Sequence, residues 1–516
     1  MSMLRIGFAI AVTTLVTACA SLPPLSGRTP SYAADDTAST RLGSAFRESE
    51  QAHTGEDAFA LLPNAVDALV ARVVLAESAD RTLDLQYYIW HDDLTGRELG
   101  AAVLRAADRG VRVRILLDDL GTNADDRLLL ALDSHPNVQI RLFNPVADRT
   151  FKKLSALFHF ARINRRMHNK AMIADNQAAI LGGRNIGDEY FGASTTVAFG
   201  DLDVLVHGPV VHDVSDSFDA FWNSDSAYPI ATLIGHKADP DALPAVRKKL
   251  DEYLKSEQNS DYIEHAKDRI GPYLANGATG YSWGHAALLH DDPAKVEQSR
   301  TETDTHLMTQ FRALMLQPRH DMLVVSPYFI PGQEGVAWLS KLSHDGVSVK
   351  VLTNSLASTD VAAVHAGYRR YREALISAGV HLYELRPNPD EGPTKKSTFG
   401  SSRASLHAKT YVFDRQMIFI GSMNLDARSM DLNTEIGLLC ESPDIAAEVA
   451  DGIGSQLDRL AWRVELRPSA NGTLHPVWLQ TAADGTVMQY DSEPEASSMR
   501  RLQVWFLGLL PIESQL

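Results

Sequence analysis

The sequence predicts an α/β fold of two tandem α/β/α sandwich domains related by a pseudo-twofold, and two observations carry that prediction. Over residues 83–143, strand-like apolar runs alternate with helical ones in a β-α-β-α-β series, the pattern of a sheet flanked by helices. The same order recurs over residues 303–385, where "SHDGVSVKVLTNS" (343–355) echoes "ADRGVRVRILLDD" (107–119). A repeat spaced so widely marks duplicated domains, because solenoid repeats recur every ~20–50 residues.

Taken in order, the chain opens with one charge, Arg5, before the apolar run 6–16, and that run ends in Val16-Thr17-Ala18-Cys19. A short apolar stretch closed by small residues reads as a signal peptide, too short to span a bilayer. A cysteine at that point resembles a bacterial lipoprotein signal, which implies an exported chain anchored through lipidated Cys19 and facing the periplasm. Residues 20–58, rich in Ser, Thr, Ala and Pro without apolar periodicity, read as a flexible tether.

A first domain is expected over 59–225. Its helices fall near 64–79, 96–109 and 125–134, and its strands near 83–90, 111–117 and 138–143. The polar stretch 226–275 reads as a helical connector. The second domain, 276–465, has strands near 281–289, 322–330, 347–353 and 381–385, with helices near 303–316, 335–343 and 361–378. Residues 466–516 read as a loop-rich extension ending in the apolar run 504–512, which nine residues make too short to span a membrane. Packing onto the domain is the favoured reading of that run, although Trp505 and Phe506 also suit a membrane interface.

At 516 residues and 45% hydrophobic content the chain can build large cores. A net charge of −16 and a pI near 5.6 argue against a general nucleic-acid binder, which needs a basic footprint. Basic residues nonetheless gather ahead of two particular segments: Lys152, Lys153, Arg162, Arg165 and Arg166, then Lys395, Lys396 and Arg403. Against an acidic background they suit the mouth of a site for an anionic headgroup, with the apolar "ALFHF" (156–160) beside them to meet acyl chains. With Cys19 modified, Cys440 in its apolar run reads as a buried thiol, and no intramolecular disulfide forms.

The two segments that follow these basic clusters carry the chemistry. His168 is followed by Lys170, Asp175, Gly182-Gly183 and Asn185; His407 is followed at identical offsets by Lys409, Asp414, Gly421-Ser422 and Asn424. Each reads as a β-hairpin turning at its aspartate, with the His and Lys on one strand face and the Gly-x-x-Asn returning beside them. An imidazole, an ammonium, a carboxamide and small-residue backbone then share one spot. That set suits a phosphodiester: lysine gives a point charge, and Asn185, Ser422 and Asn424 give neutral donors to the non-bridging oxygens. Two histidines can divide the reaction, one attacking phosphorus and the other serving as acid and base. Charge on the phosphoryl oxygens is then held without a metal ion or other cofactor.

The doubled H-x-K-x4-D-x6-G-[SG]-x-N pattern resembles that of the phospholipase D superfamily, and the resemblance covers roughly residues 60–465. It implies the phospholipase D fold, one active site built from both motifs, and a phosphohistidine intermediate. The pattern residues His168, Lys170, Asp175, His407, Lys409 and Asp414 form the catalytic set, although for Asp175 and Asp414 a structural role at their turns is the favoured reading. The superfamily places a histidine-orienting acid after the Asn; Glu435 fits in the second copy and Asp203, from Asp201-Leu202-Asp203, in the first. Gly183 departs from the usual serine, making the half-sites unequal, and His168 is favoured as nucleophile with His407 as acid/base. Residues 352–387 and the closing "LLPIESQL" resemble the C-type branch of bacterial cardiolipin synthases. That branch implies transfer of a phosphatidyl group between membrane phospholipids, phosphatidylglycerol and, as a further candidate, phosphatidylethanolamine, at a membrane surface. The competing expectations are a hydrolytic phospholipase D and, further off, a nucleic-acid phosphodiesterase.

Overall fold

The computed structural model describes residues 21–516 apart from 123–124, 151, 153–158, 277–279, 316–317, 388–403 and 483. Cys19, Lys153, Lys395, Lys396, Arg403 and residues 156–158 therefore lie outside the described residues.

The first domain contributes β1 (Asp57–Leu62), β2 (Thr82–Tyr87), β3 (Arg112–Asp118), β4 (Val138–Phe143), β5 (Ala171–Ala174), β6 (Ala178–Gly182), β7 (Ala198–Gly200), β8 (Asp203–His207) and β9 (Ala227–Pro229). The second contributes β10 (Ser282–His290), β11 (Asp321–Val325), β12 (Ser348–Asn354), β13 (His381–Leu385), β14 (Ala404–Leu406), β15 (Lys409–Phe413), β16 (Met417–Gly421), β17 (Ile436–Glu441), β18 (Ala461–Pro468), β19 (Leu474–Thr481) and β20 (Val487–Tyr490).

The two halves repeat one topology. Parallel β2, β3 and β4 lie beside the antiparallel hairpin β5–β6, and β8 and β1 follow. Parallel β11, β12 and β13 lie beside hairpin β15–β16, and β17 and β10 follow. The parallel strands are largely buried on both faces, one apolar and the other carrying buried polar groups such as Asp84, Arg114 and Glu384. β10 joins the halves: residues 282–284 pair with β1 and residues 285–290 with β17, so one sheet runs through both domains.

Three buried clusters follow from this layering. One outer core lies under helices Ala65–Ser78 and Leu94–Asp108, capped by the side chains of Asn64 and Asp93. A second lies under helices Leu307–Met315 and Gly332–His344. The inner core belongs to both domains: Val214, Phe218 and Trp222 of helix Val210–Asn223 share it with Ile445, Val449 and Ile453 of helix Pro443–Gly454.

The structure departs from expectation in three places. The expected tether does not run free over 21–58: Arg28 donates to Asn223 O at 2.8 Å, Ala33 N to Asp219 Oδ2 at 2.7 Å, and Arg114 to Ser31 O at 2.7 Å. Helix Arg41–Ala52 follows. Polar backbone contacts hold this segment, so it shows no apolar periodicity. The expected helix 361–378 breaks into Ala362–Tyr368 and Arg372–Ser377. The last fifty residues are ordered instead of loop-rich, with β19 and β20 widening the sheet before a helix, Ser498–Leu507. Of the apolar run 504–512, Val504 is buried, whereas Trp505, Phe506 and Leu509 are 59%, 57% and 63% exposed. The run packs through one side only. Among the described residues no helix is long and apolar enough to cross a membrane.

Candidate active site

The two hairpins position the site. Asp175 and Asn176 have φ of 54° and 52°, and Asp414 and Arg415 have φ of 50° and 57°, a left-handed pair opening each three-residue turn, 175–177 and 414–416. The Asp175 carboxylate accepts from the backbone N–H groups of Asp80, Arg81 and Thr82. Asp414 does the same with Arg319, His320 and Asp321. Each aspartate thus ties its hairpin turn to the start of the neighbouring parallel strand. This is the favoured turn role of Asp175 and Asp414 and corrects their place in the catalytic set: they lie at the turn ends of the hairpins, and the histidines lie at the other.

Neither histidine sits within a regular strand. The strand that carries the second motif breaks at His407-Ala408, between β14 and β15, because both backbone N–H groups donate to Gly200 O in the other domain, at 2.8 and 3.0 Å. β14 and β7 pair in parallel across the interface just before this break. On the other side, His168 N donates to Thr434 O at 2.9 Å, beside a Met167–Thr434 bridge. Each histidine is therefore carried by one domain and seated against the other.

Their side chains cross in the same way. His168 Nδ1 bonds Glu435 Oε2 at 2.8 Å, and His407 Nδ1 bonds Asp201 Oδ2 at 2.6 Å. A carboxylate on Nδ1 fixes the tautomer and leaves Nε2 for chemistry. The sequence placed Glu435 with its own copy's histidine and Asp203 with the other; both placements need correction. Asp203 is buried between Arg72 and Arg184, at 2.9 and 3.2 Å, and also accepts from Arg184 N at 3.2 Å, a structural role. Register explains the error. Gly182 pairs with Asp203 while its counterpart Gly421 pairs with Gly437, so Glu435, two residues earlier, corresponds to Asp201.

The same register accounts for Gly183. A Cβ at this position would meet Asp201 Oδ1 at 2.1 Å. In the other half-site the longer Glu435 leaves room for Ser422, whose Oγ donates to Glu435 Oε2 at 2.5 Å and contacts Ile436 O at 3.2 Å. Ser422 therefore supports the orienting acid and is not turned toward a phosphate, which corrects its expected role. Asn185 accepts from Ile89 N at 3.2 Å and donates to Tyr190 Oη at 3.0 Å, leaving one amide hydrogen uncommitted. Asn424 is buried, and its Oδ1 has no hydrogen-bond partner.

Lys170 and Lys409 are buried and fold back to the carbonyls of His168 and His407. Burial lowers Lys170 to about 7, and the neighbouring Lys409 charge adds to the fall; burial likewise lowers Lys409 to about 8. Burial also lowers His168 to about 4, and burial with the Lys409 charge lowers His407 to about 3, although each carboxylate partner pulls the other way. Burial alone would raise Asp201, yet His407 and Lys409 hold it at about 2; Glu435 is held below its usual range by His168 and Lys170. The site at neutral pH holds two neutral imidazoles, two carboxylates, a mostly charged Lys409 and a Lys170 about half charged. It is built to receive an anion.

Aromatic rings wall it. Tyr88 meets His168 edge-on at 5.1 Å, and Tyr190 and Phe199 pack on His407 at 5.3 and 5.1 Å. Sequence reasoning missed all three, as well as Asp201; Tyr88 has a local signal, since it directly follows a buried parallel strand. Among the basic residues, Arg166 is committed to Asp118 at 2.7 Å and Lys152 to Asp126 at 2.8 Å, which makes them scaffold and not open headgroup contacts. His365 and Tyr368 bond Glu493 and Glu384 at 3.0 and 3.1 Å, a packing role.

Mirrored half-sites on a duplicated α/β fold define the phospholipase D class. A family profile described as "Cardiolipin synthase, PLD-like domain" matches residues 74–222 and 311–455. The chain belongs to this family of phosphatidyltransferases. It is 41% identical over 483 residues to cardiolipin synthase C of Escherichia coli K12, covering 92% of this chain and 99% of that one. Cardiolipin synthase A of Pseudomonas syringae is 27% identical, over 75% of this chain and 66% of its own. The crystal structure of phosphatidylserine synthase from Haemophilus influenzae shares the fold at 14% identity and a TM-score of 0.55, over 92% of this chain and all of that one.

Proposed function

We propose that the protein transfers a phosphatidyl group from one phospholipid to the hydroxyl of phosphatidylglycerol, forming cardiolipin through a phosphohistidine. The observation that carries this reading is the crossed pair of imidazole–carboxylate units flanked by two buried lysines. The anionic diester relieves the repulsion between Lys170 and Lys409 and raises the proton affinity of both imidazoles. His168 Nε2 attacks phosphorus, with Glu435 stabilising the imidazolium that forms. His407, having taken a proton as the anion enters, gives it to the leaving alkoxide oxygen. It then removes the proton from the incoming hydroxyl, whose oxygen displaces His168. The lysines, Asn424 and the free amide hydrogen of Asn185 hold the phosphoryl oxygens throughout. No step requires a metal ion.

The substrate lies in a bilayer, so the site must reach one. Helix Ser498–Leu507 presents Met499, Leu502, Trp505 and Phe506 to solvent, and Arg500 anchors it to Thr359 O at 2.7 Å. The next residue, Asp360, bonds Tyr328 and acts electrostatically on Lys409. The apolar face thus stands near the site, with lipidated Cys19 as the tether on the periplasmic side.

The test is incubation with phosphatidylglycerol, with and without phosphatidylethanolamine, in mixed micelles. Cardiolipin is expected; phosphatidic acid alone would establish a hydrolase instead. Protein quenched in alkaline detergent, which spares a phosphohistidine bond, should carry the phosphatidyl group in the wild type and not in His168→Ala. An adduct persisting in His168→Ala would reverse the two histidine roles.

A further inference from the structure

Helix Ala242–Glu257 is sixteen residues long, yet none of its side chains is buried. Polar contacts hold it at its rim. Arg247 pairs with Asp108 at 2.8 Å, and Tyr253 lies 4.0 Å beneath the Arg97 guanidinium. Its apolar residues Val246 and Leu250 face a cavity of about 560 Å³ walled on the other side by Leu104, Leu117, Leu129 and Ile140. The lining is mainly apolar but also carries His91, Asp92, Arg97, Asp125, Arg127 and Lys249. Apolar surface of this extent beside charged groups suits a guest with an apolar chain.

Its position names the guest. The lining also includes Trp90 and Thr122, from the loops after β2 and β3. Thr122 Oγ1 contacts Tyr88 O at 3.4 Å, and the Tyr88 ring lies against His168. One end of the cavity is therefore a single residue removed from the reacting imidazole. We propose that this cavity receives one fatty acyl chain of the phospholipid whose phosphate is held between the histidines. This deepens the phosphatidyltransferase reading and rests on it. Each methylene buried there strengthens binding by roughly fourfold, so the cavity makes turnover depend on chain length.

Gly100, in helix Leu94–Asp108, lines the cavity, and a Cβ built on it meets no atom within 4 Å. Gly100→Phe therefore fills the space without a backbone clash, while Gly100→Ala leaves it open and controls for helix effects. Val246→Trp fills it from the covering helix should Gly100→Phe fail to fold. Two readouts apply: the ratio of kcat/KM for dipalmitoyl over dihexanoyl phosphatidylglycerol in mixed micelles, and binding of dansylated undecanoic acid followed by its emission. The filled variants should lose about tenfold or more in both, the equivalent of two methylenes, and Gly100→Ala should track the wild type. Unchanged ratio and probe binding in the filled variants would overturn the acyl site while leaving phosphatidyl transfer standing. Probe binding needs no turnover. A protein that loses the probe on filling but transfers no phosphatidyl group would keep the cavity and refute the transferase reading.

Discussion

At the scale of single residues, the site depends on a difference of one methylene. Asp201 and Glu435 perform the same contact from equivalent register positions, but the shorter acid approaches so closely that Gly183 has no room for a side chain. The half-sites are thus unequal for a steric reason. The buried lysines set the pH response. A lysine whose pKa is lowered to about 7, as Lys170, or about 8, as Lys409, is fully charged only below that value. Because kcat/KM reports the free enzyme, it should be level through about pH 6.5 and fall as pH rises through 7 to 8. Lys170→Arg, which stays charged, should push the fall upward. A profile level to about pH 9.5 in the wild type would contradict the assignment. The histidines and lysines were legible in the sequence because their offsets repeat. Asp201 was not, because choosing between it and Asp203 needs the strand register that only pairing across the sheet supplies.

Among the elements, the hairpins are the units that carry information from turn to site. Asp175 is buried and holds three backbone N–H groups at 2.7–2.9 Å, so it clamps β5 to the start of β2. Asp175→Ala strands these donors, which costs on the order of 2–4 kcal/mol. We expect a lowered midpoint in urea unfolding of the first domain, with turnover at low temperature within a few-fold of wild type. Loss of turnover at unchanged stability would restore the catalytic role. Apolar periodicity located most strands and helices within a few residues, with β4 and β13 matching their expected limits. It failed for residues 21–40, whose order comes from side chains such as Arg28, Arg114 and Asp219 gripping polar backbone. It also failed past residue 466, where β19, between β18 and the short β20, mixes apolar and polar positions.

At the scale of the whole molecule, the proposed function makes the exposed face of helix Ser498–Leu507 the side that would meet a bilayer. Trp505 and Phe506 are each more than half exposed, and burying one large apolar side chain is worth ~1.5–3 kcal/mol. In protein lacking residues 1–19, the double change Trp505→Asp with Phe506→Glu should weaken sedimentation with phosphatidylglycerol vesicles by about tenfold or more. Turnover of dihexanoyl substrate below its micellar concentration should fall far less. Equal losses on both would mean that the helix supports the fold and not the membrane contact.

The crossing of imidazole and carboxylate between domains has a consequence for how this protein fails. Neither half owns a complete imidazole–carboxylate pair, so a slight parting of the halves strips both histidines of their carboxylate partners together, before either outer core opens. Catalytic output is then a gauge of domain seating, and damage far from the reacting phosphorus, along β10 or the shared inner core, silences the enzyme while spectroscopic signatures of folding persist.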